Sequence, residues 1–148
     1  MLSPSHRRSR RSPVRVLLAD DNALYADTVA TILGADPRIE IVGHARDGRA
    51  AVELAFSLSP DLVLMDIDMP VMDGVEATRA IRAACPDVRV VALTSSTDLD
   101  DARRIRLVGA SGFLRKDCPL TELVEAVLDA PGTPAIPRGL NLAAWIAA

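Results

Sequence analysis

Asp61-Leu62-Val63-Leu64-Met65-Asp66-Ile67-Asp68-Met69-Pro70-Val71-Met72-Asp73-Gly74 decides the fold of this chain, because one short apolar run ends there abruptly in acid. Leu62 to Met65 are apolar in succession, too few for a helix and suited to a strand buried on both faces. Asp66 sits where that strand runs out. Pro70 and Gly74 break the chain soon after, so residues 66–73 are expected to form a loop at the carboxyl edge of a sheet. Open α/β folds place their chemistry at that edge, and a carboxylate there can act as nucleophile or metal ligand.

Working outward, the same alternation of apolar run and helical period continues on both sides. Strands are expected at 14–19, 39–43, 62–66, 88–94 and 112–115, with helices at 23–35, 49–58, 75–84, 98–108 and 120–130. In the first helix Leu24, Val29, Ile32 and Leu33 are expected to face inward. Pro86 ends the third helix, Gly109 closes the fourth and Pro119 precedes the fifth. Five strand-helix pairs with right-handed crossovers give a doubly wound parallel sheet of the flavodoxin-like (βα)5 kind, strand order 2-1-3-4-5. That order sets the carboxyl ends of strands 1 and 3 side by side.

Composition agrees with such a sheet. Of the 148 residues 49% are hydrophobic and only 3% aromatic, so the core must be built from Val, Leu, Ile and Ala. Residues 1–13, rich in Ser, Arg and Pro, cannot bury a core and are expected to be a disordered basic tail. With Arg7, Arg8, Arg10 and Arg11 in that tail, a total charge of −3 leaves −7 on residues 14–148, which argues against a body that grips nucleic acid by charge. No run approaches the ~18 apolar residues of a membrane span, and none follows the arginines that would serve as a secretory signal. The cytoplasm is the expected compartment. Cys85 and Cys118 have no CxxC spacing and read as reduced thiols.

The topology brings Asp20 and Asp21, at the end of strand 1, beside Asp66. Three carboxylates in one cleft repel one another unless protonated or bridged by a cation, which points to a hard divalent ion with oxygen ligands, Mg²⁺ being the natural candidate. The competing reading of Asp20-Asp21 is a simple helix cap, for which one acid would suffice. Of 17 basic residues 16 are arginine, and the single lysine, Lys116, follows the fifth strand. A compact ammonium on a flexible stem suits a tight anionic site better than a planar fork. Thr94 ends the fourth strand and can offer a hydroxyl to a phosphoryl oxygen. Acids, lysine and hydroxyl at four strand ends look built for a transferred phosphoryl group.

In these residues the chain resembles the receiver domain of two-component response regulators: Asp20-Asp21, Asp66 in MDIDMPVMDG, Thr94 in ALTSS and Lys116 in GASGFLRKD. The GFLRKD ending is most similar to the NarL/LuxR-type subgroup. The resemblance covers roughly residues 14–130. It implies that Asp66 accepts a phosphoryl group from a sensor histidine kinase, that Asp20, Asp21, Asp66 and the backbone carbonyl of Asp68 hold Mg²⁺, and that Lys116 and Thr94 bind the phosphoryl oxygens. It further implies a switch made by Thr94 and Phe113 acting on the α4-β5-α5 face, hydrolysis tuned at Asp68 and Ser96, and a homodimer on phosphorylation. Phe113 is equally readable as ordinary core. No catalysis on a separate substrate is implied, only self-phosphorylation and self-dephosphorylation. Residues 131–148 read as a linker or C-terminal tail with no DNA-binding domain, so the chain is a single-domain regulator or one part of a transcription regulator. Trp145 and Ile146 can pack on the body or on a dimer partner.

Two other readings compete. Asp66-Ile67-Asp68 is an Asp-x-Asp of the kind used by haloacid-dehalogenase-type phosphatases, but that motif belongs on a first strand, where Asp20-Asp21 stand instead. A phosphorylation-independent interaction module would be expected to have lost an acid or the lysine, and both are kept. His44 is expected at the end of the second strand, away from the acids.

Overall fold

The computed structural model describes residues 12–95, 98–129, 134–136, 145 and 147. Five strands alternate with five helices among them: β1 Val14–Ala19, α1 Ala23–Gly34, β2 Ile39–Ala45, α2 Gly48–Leu58, β3 Leu62–Asp66, α3 Gly74–Ala84, β4 Arg89–Thr94, α4 Leu99–Leu107, β5 Gly112–Arg115 and α5 Leu120–Leu128. The strands pair in parallel in the order β2-β1-β3-β4-β5. This is the flavodoxin-like arrangement expected from the alternation.

Both faces of the sheet are covered, and the strands show why. In β1, Val16 and Leu18 join Val29 and Leu33 of α1 and Leu123 and Val127 of α5 in one cluster. Leu17 and Ala19 join Ala51 and Ala55 of α2 and Ala77 and Ile81 of α3 in another. Successive side chains point to opposite faces, so a run without polar interruption is what a sheet sandwiched between helices requires. A third cluster joins Ile67, Ala92, Ile105 and Phe113 around α4.

Helix starts are set by local capping. Asn22, Asp47, Asp73 and Asp98 each accept a backbone N–H from the first turn of α1, α2, α3 and α4. Leu24 is a correction: it is 78% exposed, because the Asn22 cap sets a phase in which Ala26, Val29 and Leu33 face the sheet. β2 runs two residues beyond the expected Gly43, to Ala45, since its pairing with β1 resumes after a register shift and continues to Ala19. α5 stops at Leu128, two residues before the expected end. Gly74 seats α3 on the end of β3: a Cβ there would lie 2.1 Å from the Asp66 carbonyl oxygen. The Asp66 loop and α3 are thereby held in direct backbone contact.

Candidate functional site

Asp20 and Asp66 follow or end buried strands, and each is left at the sheet rim with 3% and 4% exposure. Asp21 is exposed. The carboxylate oxygens of Asp20, Asp21 and Asp66 come within 4.8 Å of one another. Helix capping does not account for the acid pair, because Asn22 performs that role and its own backbone N–H donates to Asp20 Oδ1 at 2.8 Å. The Asp68 N–H points back at Asp66 Oδ1 at 3.3 Å, while the Asp68 side chain is exposed.

Lys116 follows β5 directly, and its backbone N–H donates to the Thr94 carbonyl at 2.8 Å. Its Nζ reaches across the rim to 2.8 Å from Asp20 Oδ2 and 3.4 Å from Asp66 Oδ2. Thr94 is 1% exposed at the end of β4, one residue past Leu93, which pairs with Asp66. The acids, the lysine and the threonine thus share one edge, carried there by β1, β3, β4 and β5. Ser96 lies outside the described residues, as do the N-terminal arginines and Ile146.

Burial, and then the charge of Asp20, pushes the Asp66 carboxyl up to about 7, against the opposing pull of Lys116. Burial works against the Lys116 ammonium, but its bond to Asp20 and the charges of Asp66 and Asp20 outweigh it and hold its pKa above the ordinary lysine value. One lysine does not relieve three carboxylates. A hard divalent cation with oxygen ligands fits this donor set, since its charge would offset both the burial and the repulsion from Asp20 that leave Asp66 reluctant to ionise.

Three contacts were not legible in the sequence. Tyr25, on the first turn of α1, sets its ring 4.8 Å from Lys116 Nζ, and burial followed by the charges of Cys118, Asp20 and Asp66 raises its hydroxyl to about 12. Its being the only tyrosine was the one signal available. His44 is closer to the acids than expected, with Nε2 2.9 Å from the Asp20 main-chain oxygen, because β2 continues past Gly43 alongside β1. Phe113 is 3% exposed and stacks on Trp145, ring centroids 5.4 Å apart, so Trp145 packs on the body at 5% exposure.

Comparison with known proteins gives a consistent set of likenesses. Residues 16–128 match the response regulator receiver domain family. The transcriptional regulatory protein DegU of Brevibacillus brevis is 40% identical over 114 residues, covering 77% of this chain and 48% of that protein. A protein-glutamate methylesterase/protein-glutamine glutaminase of Moorella thermoacetica is 42% identical over 141 residues, covering 87% of this chain and 33% of that protein. Among solved structures, the signal receiver domain of a NarL response regulator from Mycobacterium tuberculosis superposes with a TM-score of 0.77 at 37% identity, over 80% of this chain and 95% of that one. The chain spans about half the length of DegU and a third of the methylesterase.

Proposed function

Because the chain belongs to the response regulator receiver domain family of two-component systems, we propose that Asp66 is its phosphoacceptor, charged by a sensor histidine kinase. The observation that carries this reading is Lys116 Nζ lying 2.8 Å from Asp20 and 3.4 Å from Asp66 at a rim where three carboxylates converge. An Asp66 carboxylate oxygen attacks the phosphohistidine phosphorus in line; the new O–P bond forms as the P–N bond breaks, and the imidazole leaves with its electron pair. Lys116 and the Thr94 hydroxyl offset charge on the equatorial oxygens. Mg²⁺, held by Asp20, Asp21, Asp66 and the Asp68 carbonyl, would supply the remaining charge neutralisation when bound.

The acyl phosphate draws Thr94 toward it and turns Phe113, and the α4-β5-α5 face then favours a different partner or a homodimer. Water ends the signal, at a rate tuned by Asp68 and Ser96. In this reading the receiver itself performs no chemistry on a separate substrate. In this reading residues 14–130 are the receiver, 1–13 a basic N-terminal segment and 131–148 a linker or C-terminal tail, the receiver itself making no nucleic-acid contact. DegU is a transcriptional regulatory protein and the other relative a methylesterase, so the output belongs to what the receiver is joined to. Regulation of transcription is the output proposed for a full protein that carries a helix-turn-helix domain. No described helix is long and apolar enough to cross a membrane, which suits a cytoplasmic signalling protein.

Incubation with acetyl phosphate and Mg²⁺, followed by intact-mass measurement, tests the reading. The native chain is expected to gain one phosphoryl group, removed by alkaline hydroxylamine, and Asp66→Asn to gain none. A native chain that gains no mass overturns it.

A further inference from the structure

Resting on the reading of Asp66 as phosphoacceptor, we propose that Tyr25 is a positioning residue that holds the Lys116 ammonium in place for phosphoryl transfer. Among the described residues the Nζ lies against Asp20 Oδ2 at 2.8 Å, Asp66 Oδ2 at 3.4 Å and the Tyr25 ring at 4.8 Å to its centroid. Two of these are acids that a cation would engage, and the reaction itself turns one of them, Asp66, into an acyl phosphate. The aromatic face is neutral, and neither metal binding nor phosphorylation changes it.

A lysine has a long flexible stem, and its ammonium stays where its partners keep it. When Asp20 turns to a cation and Asp66 becomes an acyl phosphate, both original anchors are loosened at the moment Lys116 must meet new oxygens. The ring remains, attracting the ammonium through its negative π face. The ring is itself fixed at its base and body. The Tyr25 backbone N–H donates to Asn22 Oδ1 at 3.1 Å, and its side chain packs half-buried against the cluster that contains Leu18 and Leu114. Asn22 follows the acid pair directly, so the cap that starts α1 also sets Tyr25 at a constant offset from Asp20 and Asp21.

The test uses the whole chain, with acetyl phosphate as donor and Mg²⁺ present. Tyr25→Leu, which keeps an apolar body but removes the π face, is expected to slow phosphorylation of Asp66 by about three- to ten-fold, the range of a partly desolvated cation–π contact. Tyr25→Phe keeps the face and is expected to restore the native rate. In a Lys116→Met background, Tyr25→Leu is expected to cost nothing further, since a contact already removed cannot be removed twice. Independently of any phosphorylation, the Lys116 ε-methylene protons of the metal-free protein are expected to show an upfield ring-current shift that Tyr25→Phe keeps and Tyr25→Leu loses. A Tyr25→Leu protein that matches the native rate, or one that loses the same factor with Lys116 absent, overturns the inference while leaving Asp66 as phosphoacceptor. A native chain that takes no phosphoryl group overturns the reading beneath it, and the methylene shifts then still decide whether ring and ammonium meet.

Discussion

Asp66 carries a stability consequence that follows from its surroundings alone. Its carboxyl is raised from 3.8 to about 7 by burial and by the charge of Asp20, so the folded protein binds that proton more tightly than the unfolded chain does. Below pH 4 both states are protonated and the site imposes no penalty. Between pH 4 and about 7 the unfolded chain ionises freely while the fold resists, and stability declines; above 7 the full penalty is present. In metal-free protein the thermal midpoint is therefore expected to fall from pH 5 to pH 8, more steeply than in Asp66→Asn, and Asp66→Asn is expected to melt higher than the native chain at pH 8. Adding Mg²⁺ at pH 8 should recover the difference in the native chain, because a cation bound to the fold stabilises by mass action. A melting series over this pH range, with chelator or with Mg²⁺, reads all three. At this scale the acids and Lys116 could be picked out from residue type and position, whereas Tyr25 could not: nothing in an aromatic on α1 says that it reaches a lysine after β5.

Among the elements, β5 is the edge strand whose exposed backbone most needs an explanation. The Phe113 N–H donates to the Ala135 carbonyl at 2.7 Å, and Trp145 lies on the Phe113 ring, so Ala135 and Trp145 cover that edge. Gly112 permits the approach: a Cβ there would sit 2.0 Å from the Ala135 oxygen and 2.5 Å from its nitrogen. Gly112→Ala is expected to displace this segment while leaving the helix and strand content intact. The check is the emission of Trp145, the only tryptophan, which should shift to the red as the ring enters water, against unchanged far-ultraviolet circular dichroism. The apolar tail was visible in the sequence, but its docking on Phe113 was not, since packing between distant segments has no period to read. Element type was easier: β1, β3 and β5 fell where expected, and the other elements' boundaries moved by one or two residues where caps and strand pairing extended or shortened them.

For the molecule as a whole, two of the three clusters lie on opposite faces of the sheet and share its central strands. Ile81 packs in the cluster of α2 and α3, and Leu123 in that of α1 and α5, yet both clusters draw on β1 and β3. Loss of either core frees the same strands, so the two are expected to unfold together. Ile81→Ala and Leu123→Ala should each destabilise by about 2–5 kcal/mol, each shifting one transition instead of splitting it. Urea unfolding followed by circular dichroism checks this through coincident midpoints for helix and sheet signals. What the sequence determined by itself was the alternation of buried strand and amphipathic helix, the doubly wound sheet and the acids at its rim, because those features are written in short-range period and in residue chemistry. What only the tertiary structure decided was which of them meet: the Nζ of Lys116 against Asp20, Asp66 and Tyr25, His44 against the Asp20 backbone, and Trp145 against Phe113. Those encounters depend on strand register, cap phase and the path of the chain in space, none of which a local pattern of residues carries.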